Sequence, residues 1–119
     1  MFYKASGNGY IQVLPGIQIK TLTYGDLTLF TEVRLEKGSV LPKHSHAHEQ
    51  TGYLIRGTII LTIGTEEHEV TQGDCWCIPS NVEHWAKTIS DSVAIEVFSP
   101  VREEYIKFHK IEKILKSKR

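Results

Sequence analysis

The chain has 119 residues, with 14 basic and 14 acidic side chains and no formal net charge. That length suits one domain with a single core and leaves no room for a second. An even charge balance speaks against nucleic acid or any polyanion as the main partner, because phosphate binding wants a clustered positive excess. A single Arg or Lys inside a pocket remains compatible with reading one anion. The first 25 residues hold no basic start followed by an apolar run, so no signal peptide is expected. Apolar runs such as Ile59-Ile60-Leu61 are far too short to span a bilayer. The expectation is a cytoplasmic protein with no membrane partner.

In chain order, Ile17, Ile19 and Leu22 suggest one edge strand in a weakly patterned N-terminal region. The segment 27–35 alternates, with Leu27, Leu29, Val33 and Leu35 on one face and Gly38 after it. Thr51–Arg56 and Thr58–Ile63 read as strands around Gly57. Gly64-Thr65-Glu66-Glu67 reads as a turn, with Glu67–Thr71 returning as a hairpin arm. Gln72-Gly73-Asp74 is a further turn. Cys75–Ile78 is a strand, closed by Pro79-Ser80-Asn81. His84–Ile89 and Val93–Phe98 are the last two strands, joined through Ser90-Asp91-Ser92. Cys75 and Cys77 lie two residues apart on one strand, which disfavours an unstrained disulfide. They read as small packed side chains.

After Pro100 the period changes: Tyr105, Phe108, Ile111 and Leu115 form a helical stripe over about 101–116. Ser99 suits its cap, Arg102-Glu103-Glu104 its first turn, and Lys113, Lys116, Lys118 and Arg119 its negative end. The helix reads as a lid on one sheet, with a tail contacting a second subunit as the other reading. Short strands with turn residues at regular spacing make the chain an all-β sandwich or barrel with this C-terminal α-helix.

Three of the six histidines stand in His44-Ser45-His46-Ala47-His48-Glu49-Gln50. Residues 44, 46, 48 and 50 share parity and would face one side of an extended chain, roughly 7 Å apart in succession. Two imidazoles at that spacing can tilt onto one ion, but all four side chains converge only if the chain bends near Ala47 and His48. A polar strand face would explain one His-x-His pair. It does not explain a cluster that follows Leu41-Pro42, is bracketed by Gly38 and Gly57, and is answered by His84 after a second turn. Polar groups directed into a sheet interior need a partner, and a divalent ion supplies one.

The spacing can be written as Gly38, five residues, His44-Ser45-His46, three residues, Gln50, six residues, Gly57. Downstream come Gly73, five residues, Pro79-Ser80-Asn81, two residues, His84. This resembles the two-part signature of the cupin superfamily over about residues 38–88. The resemblance implies a cupin jelly-roll (double-stranded β-helix) barrel, filling 1–119 as one domain with the barrel at about 10–99. It also implies a homodimer and one divalent metal ion (Zn, Ni, Fe, Mn or Cu) on His44, His46, Gln50 and His84. Glu is usual where Gln50 stands, and Gly where Asn81 stands. Asn tolerates the left-handed turn conformation. Gln50 changes the chemistry more: three neutral imidazoles and an amide leave the ion its full double charge. That favours Lewis-acid binding of an anionic or carbonyl substrate over the carboxylate triad of non-haem iron oxygenases.

Two strings, residues 44–53 and Glu96-Val97-Phe98-Ser99-Pro100-Val101-Arg102-Glu103-Glu104-Tyr105, resemble the KdgF-type pectin-degradation cupins. These ring-open 4,5-unsaturated uronates to linear 5-keto-4-deoxyuronates. The resemblance implies the same four ligands and active-site roles for Glu96, Phe98 and Arg102, with Asp the usual residue at position 96. Glu96 and Phe98 share strand parity, and Arg102 just beyond them suits bidentate clamping of a substrate carboxylate. Glu96 and Arg102 are thus the expected catalytic pair, and Phe98, Arg102 and His48 the expected contacts to a small anionic substrate. The competing functions are a metal-dependent oxygenase of another small acid and a non-catalytic sugar-binding or sensing module.

Overall fold

The structure, a computed structural model, describes residues 1–107 and 109. Eight strands follow one another: β1 (Ile11–Leu14), β2 (Ile17–Tyr24), β3 (Leu29–Leu35), β4 (Val40–His44), β5 (Glu49–Ile63), β6 (Glu66–Thr71), β7 (Cys75–Ile78) and β8 (His84–Ser99). All pairings are antiparallel, in the order β1-β2-β3-β8-β5-β6, with β4 also on β8 and β7 also on β5.

The two long strands β5 and β8 pair from Glu49↔Ser99 to Ile63↔His84. Register shifts interrupt this ladder between Leu54 and Ile59 and divide it into two halves. In one half, residues 49–54 of β5 and 93–99 of β8 lie among β1, β2, β3 and β7. In the other, residues 58–63 and 84–90 lie among β4 and β6. The apolar core fills the space between the halves: Ile17, Ile19, Val33, Leu54 and Ala94 from the first meet Ile59, Leu61, Val70 and Ala86 from the second. This is a jelly-roll arrangement.

Gly57 sits at the division with φ of 98°. A Cβ there would fall 2.0 Å from Ser92 Oγ and 2.6 Å from the Asp91 carbonyl oxygen. Only glycine therefore lets the two bent strands cross so closely.

Several expectations change. The sheet does not close into a barrel, because β1, β4, β6 and β7 each pair on one side only. The strand expected at Ile17 is not an edge; β1, too short and mixed to show a period, covers it. Leu27 is 75% exposed and precedes β3, since Gly25 N–H bonds to the Thr28 carbonyl and turns the chain there. The four strands expected around Gly57 and Ser90-Asp91-Ser92 are the two continuous strands β5 and β8. Ser99 does not cap a helix; it ends β8, paired to Glu49. The described residues of the helix are 103–107 and 109, and Tyr105 and Ile106 pack against Leu29 and Phe98. Phe108, Ile111, Leu115 and the basic residues 113–119 lie outside the described residues. Among the described residues, no helix is long and apolar enough to cross a membrane.

Gly57 and Gly38 both have positive φ, but an added Cβ at Gly38 meets nothing within 4 Å. Gly38→Ala should cost only the backbone strain, about 1 kcal/mol, whereas Gly57→Ala adds a clash and should lower Tm several-fold further. Thermal melts of the two variants check this, and equal losses would show that the close crossing carries no weight.

Candidate metal centre

The site lies between the two halves at one end of the core. β4 and β8 bring His44 and His84 side by side, directly paired in register. The chain then leaves the strands at residues 45–48, the bend that the shared parity of 44, 46, 48 and 50 requires. Ser80 Oγ donates to the Ala47 carbonyl at 2.6 Å, and Asn81 N–H to the His46 carbonyl at 2.8 Å. Asn81 takes a left-handed φ of 65° to do so. The 79–82 turn thus clamps the histidine loop, and β5 resumes with Gln50 facing inward, buried.

One ring nitrogen from each of His44, His46 and His84 lies within 4.8 Å of the others. In each ring Nδ1 sits against a backbone carbonyl: Pro42 at 2.8 Å, His48 at 2.9 Å and Val82 at 2.9 Å. A carbonyl only accepts, so each Nδ1 carries the proton and each Nε2 offers a lone pair. His84 Nε2 is buried and has no hydrogen-bond partner among the described residues. His46 Nε2 faces Gln50 Oε1 at 3.0 Å. Gln50 is oriented by its other end, whose Nε2 donates to the Glu96 carboxylate. Two acceptors thus confront each other, which a neutral imidazole cannot relieve.

Protonating the imidazoles is disfavoured as well. Burial, and then the nearby Arg102, holds His46 below the usual histidine range. Burial pushes His84 down to about 4. A cation among these acceptors satisfies them all. The residues present therefore fit a divalent ion, held by three imidazoles and an amide oxygen. Each carbonyl behind a ring fixes its tautomer and aim.

The remaining expected residues divide. Glu96 and Phe98, on β8, line the same cavity of about 440 Å³ as His44, Gln50, His84 and Arg102. Glu96 is half-buried, and burial pushes its carboxyl up, opposed by Gln50, the Trp76 indole N–H and Arg102. The Arg102 guanidinium carbon lies 4.5 Å from the Tyr105 ring centroid and 5.2 Å from that of Phe98, and its Nε pairs with Glu104. His48 stands apart from the cavity lining. It touches His46, with ring centroids 5.7 Å apart, and its carbonyl orients that ring. Trp76 also lines the cavity, as does Tyr105 beside Arg102; the sequence offered Tyr105 only as part of the helical stripe. Deeper in, the cavity wall is apolar, with Leu14, Leu41, Ile59 and Leu61.

Residues 31–99, more than half of the chain, match the Cupin domain family, and the chain belongs to the cupin family. Fold and site together define a jelly-roll cupin with three clustered histidines. Among solved structures it resembles KdgF from Halomonas sp. at 30% identity, over 80% of this chain and 88% of that one, with a TM-score of 0.77. An RmlC-like cupin from Shewanella frigidimarina NCIMB 400 shares 23% identity over 87% and 94%, with a TM-score of 0.83. A predicted oxalate decarboxylase from Thermotoga maritima shares 17% over 77% and 90%, with a TM-score of 0.66. The last two likenesses concern the fold alone. Curated proteins yield no match.

Two measurements check the centre. Chelator-treated protein given Zn²⁺ or Ni²⁺ at about one hundred times Kd should gain about 10 °C in Tm. His46→Ala and His84→Ala should lose that gain; a gain that persists in both would place the ion elsewhere. The metal-free protein should also be acid-sensitive. His84 titrates at 6.5 when unfolded and at about 4 when folded, so between those values the unfolded chain binds more protons. The stability is fully present above pH 6.5 and is lost as pH falls towards 4. Melts across this window should slope less in His84→Asn.

Proposed function

We propose that this cupin is a metal-dependent enzyme of pectin breakdown that ring-opens a 4,5-unsaturated uronate to the linear 5-keto-4-deoxyuronate. The observation that carries the reading is the sharing of one cavity by His44, Gln50, His84, the Glu96 carboxylate and the Arg102 guanidinium. KdgF from Halomonas sp. supports it as a structural relative. The reading takes the enzyme to be a cytoplasmic homodimer and leaves the metal's identity open among Zn, Ni, Fe, Mn and Cu.

The reaction is an isomerisation. The C1–O5 bond of the ring breaks, C1 becomes an aldehyde, the released enol at C5 becomes a ketone, and one proton moves from the C1 hydroxyl to C4. A divalent ion on His44, His46, Gln50 and His84 supplies Lewis-acid polarisation of a substrate oxygen. Arg102 anchors the substrate carboxylate through its two-pronged guanidinium. Its present partner Glu104 is largely exposed, so the exchange of one carboxylate for another costs little. Phe98 closes the wall beneath Arg102 and keeps the guanidinium plane in place. Glu96 carries the proton to C4. A carboxyl whose pKa is raised by burial takes up a proton more readily than an exposed one, which suits it to this transfer.

Loss of the enol-ether absorbance of an unsaturated galacturonate, followed with metal-loaded protein, tests the reading. Glu96→Gln should lower kcat about a hundredfold or more with KM little changed. Arg102→Lys keeps the charge but loses the fork, and should raise KM about tenfold. Uronate-induced thermal stabilisation without turnover would favour a binding or sensing module instead. No acceleration and no stabilisation would end the reading.

A further inference from the structure

Trp76, Gly52 and Glu96 form one row across three strands. Gly52 of β5 is paired with Trp76 of β7 on one side and with Glu96 of β8 on the other. Opposed residues project from the same sheet face, and residues two strands apart start about 10 Å from one another. An indole covers that distance only by lying across the middle residue. The middle residue has no side chain, and a Cβ there would fall 2.2 Å from Trp76 Cε2, 2.3 Å from Cζ2 and 2.4 Å from Nε1. Those three atoms form the ring edge that carries the N–H, so the nitrogen edge rests on Gly52 and points towards β8. The Glu96 carboxylate across the row accepts from Gln50 Nε2, and the nearby Trp76 indole lowers its pKa against the effect of burial.

We infer that Trp76 is a positioning residue for Glu96, and that Gly52 is the gap its indole needs to reach across β5. The catalytic part of this inference rests on the ring-opening reading; the geometric part does not. Glu has three side-chain torsions, and a carboxylate that must meet a substrate carbon gains from being held in one of its rotamers. An amide on one side and an indole on the other supply that hold. The indole suits it because it donates only and carries no charge, so it fixes Glu96 without competing for the proton. Packing alone would need only an aromatic ring, since Trp76 also touches the apolar core. The N–H is the part that a purely structural role leaves unused.

The two tryptophans of the chain make a test that needs no turnover. Trp85 stacks against Lys43 instead and serves as internal reference. In a ¹H–¹⁵N spectrum of the metal-loaded protein, Trp76→Phe assigns the Trp76 indole resonance by deleting it. Glu96→Ala should then shift that resonance upfield in the otherwise native chain and leave the Trp85 resonance in place. Gly52→Ala should shift it too, and a Gly52→Ala chain that does not fold leaves the Glu96→Ala comparison intact. A Trp76 resonance unmoved by Glu96→Ala overturns the inference. In the uronate assay, Trp76→Phe should lower kcat about tenfold or more with KM and metal content unchanged. It should slow Glu96→Ala no further. A raised KM with intact kcat, or effects that multiply, also overturns it. Wild-type protein without turnover would end the ring-opening reading, while the resonance shift would still decide the Trp76–Glu96 link.

Discussion

The pairing of β5 with β8 along their whole length is the constraint on which everything else hangs. A straight ladder of that length would be a flat ribbon with one face to water. Because register shifts and Gly57 divide it, each strand serves both halves of the fold. The same two strands therefore carry groups that face one another across the interior. β8 delivers His84 from its first half and Glu96 and Phe98 from its second; β5 delivers Gln50 opposite Phe98. The centre is assembled by a bend in the sheet, with only His46 contributed by a loop. That loop is held by hydrogen bonds from Ser80 and Asn81 instead of by a ladder.

The polar groups in the interior form a chain with a definite direction. The nitrogen edge of Trp76 lies over Gly52, beside Glu96, and one Gln50 N–H ends on that carboxylate. This turns the Gln50 carbonyl oxygen to His46, whose own proton is committed to the His48 carbonyl. Donors are exhausted at that point, and acceptors are left over: Gln50 Oε1, His46 Nε2 and the unpartnered His84 Nε2. Buried acceptors without donors are expensive. A divalent ion completes the chain at one end as the carboxylate completes it at the other. The amide in place of a carboxylate ligand is thus coupled to Glu96: Gln50 can bond the ion through its oxygen and the carboxylate through its nitrogen, which a glutamate could not do.

Much of this centre was legible in the residues. Shared parity and the turn punctuation around 44–50 and 79–84 mark the histidine-rich segment and His84. The cupin resemblance selects His44, His46 and His84, which do cluster, and the shared parity of Glu96 and Phe98 places both on the cavity. The bend at 45–48 follows from the length of a strand repeat. Other features were hidden for physical reasons. Gly57 and Ser90-Asp91-Ser92 read as chain breaks, yet hydrogen bonding continues through a glycine with positive φ and through a bulge. Ser99 has the chemistry of a helix cap but is claimed by the ladder to Glu49. The row Trp76–Gly52–Glu96 depends on the register of three strands, which no local pattern encodes. Gly52 falls inside the strand expected at 51–56, where no pattern marks it, while its work is to leave space for Trp76.

The cavity itself is divided in character, and the division bears on what it can hold. Ionisable groups line one end, and Leu14, Leu41, Ile59 and Leu61 line the other. The apolar end lowers the local dielectric, which strengthens each charge interaction at the mouth and raises the cost of leaving Glu96 ionised beside water-poor walls. Arg102 is placed to offset that cost. It lies over the faces of Phe98 and Tyr105, where the weakly hydrated guanidinium is stabilised without losing its donors. Its partner Glu104 is more than half exposed, so an anion entering the cavity can take over that pairing without stranding a buried charge. An anion held by Arg102 would leave two carboxyl groups on the cavity lining, the half-exposed Glu104 and Glu96, and only Glu96 is tied to the metal-facing amide of Gln50.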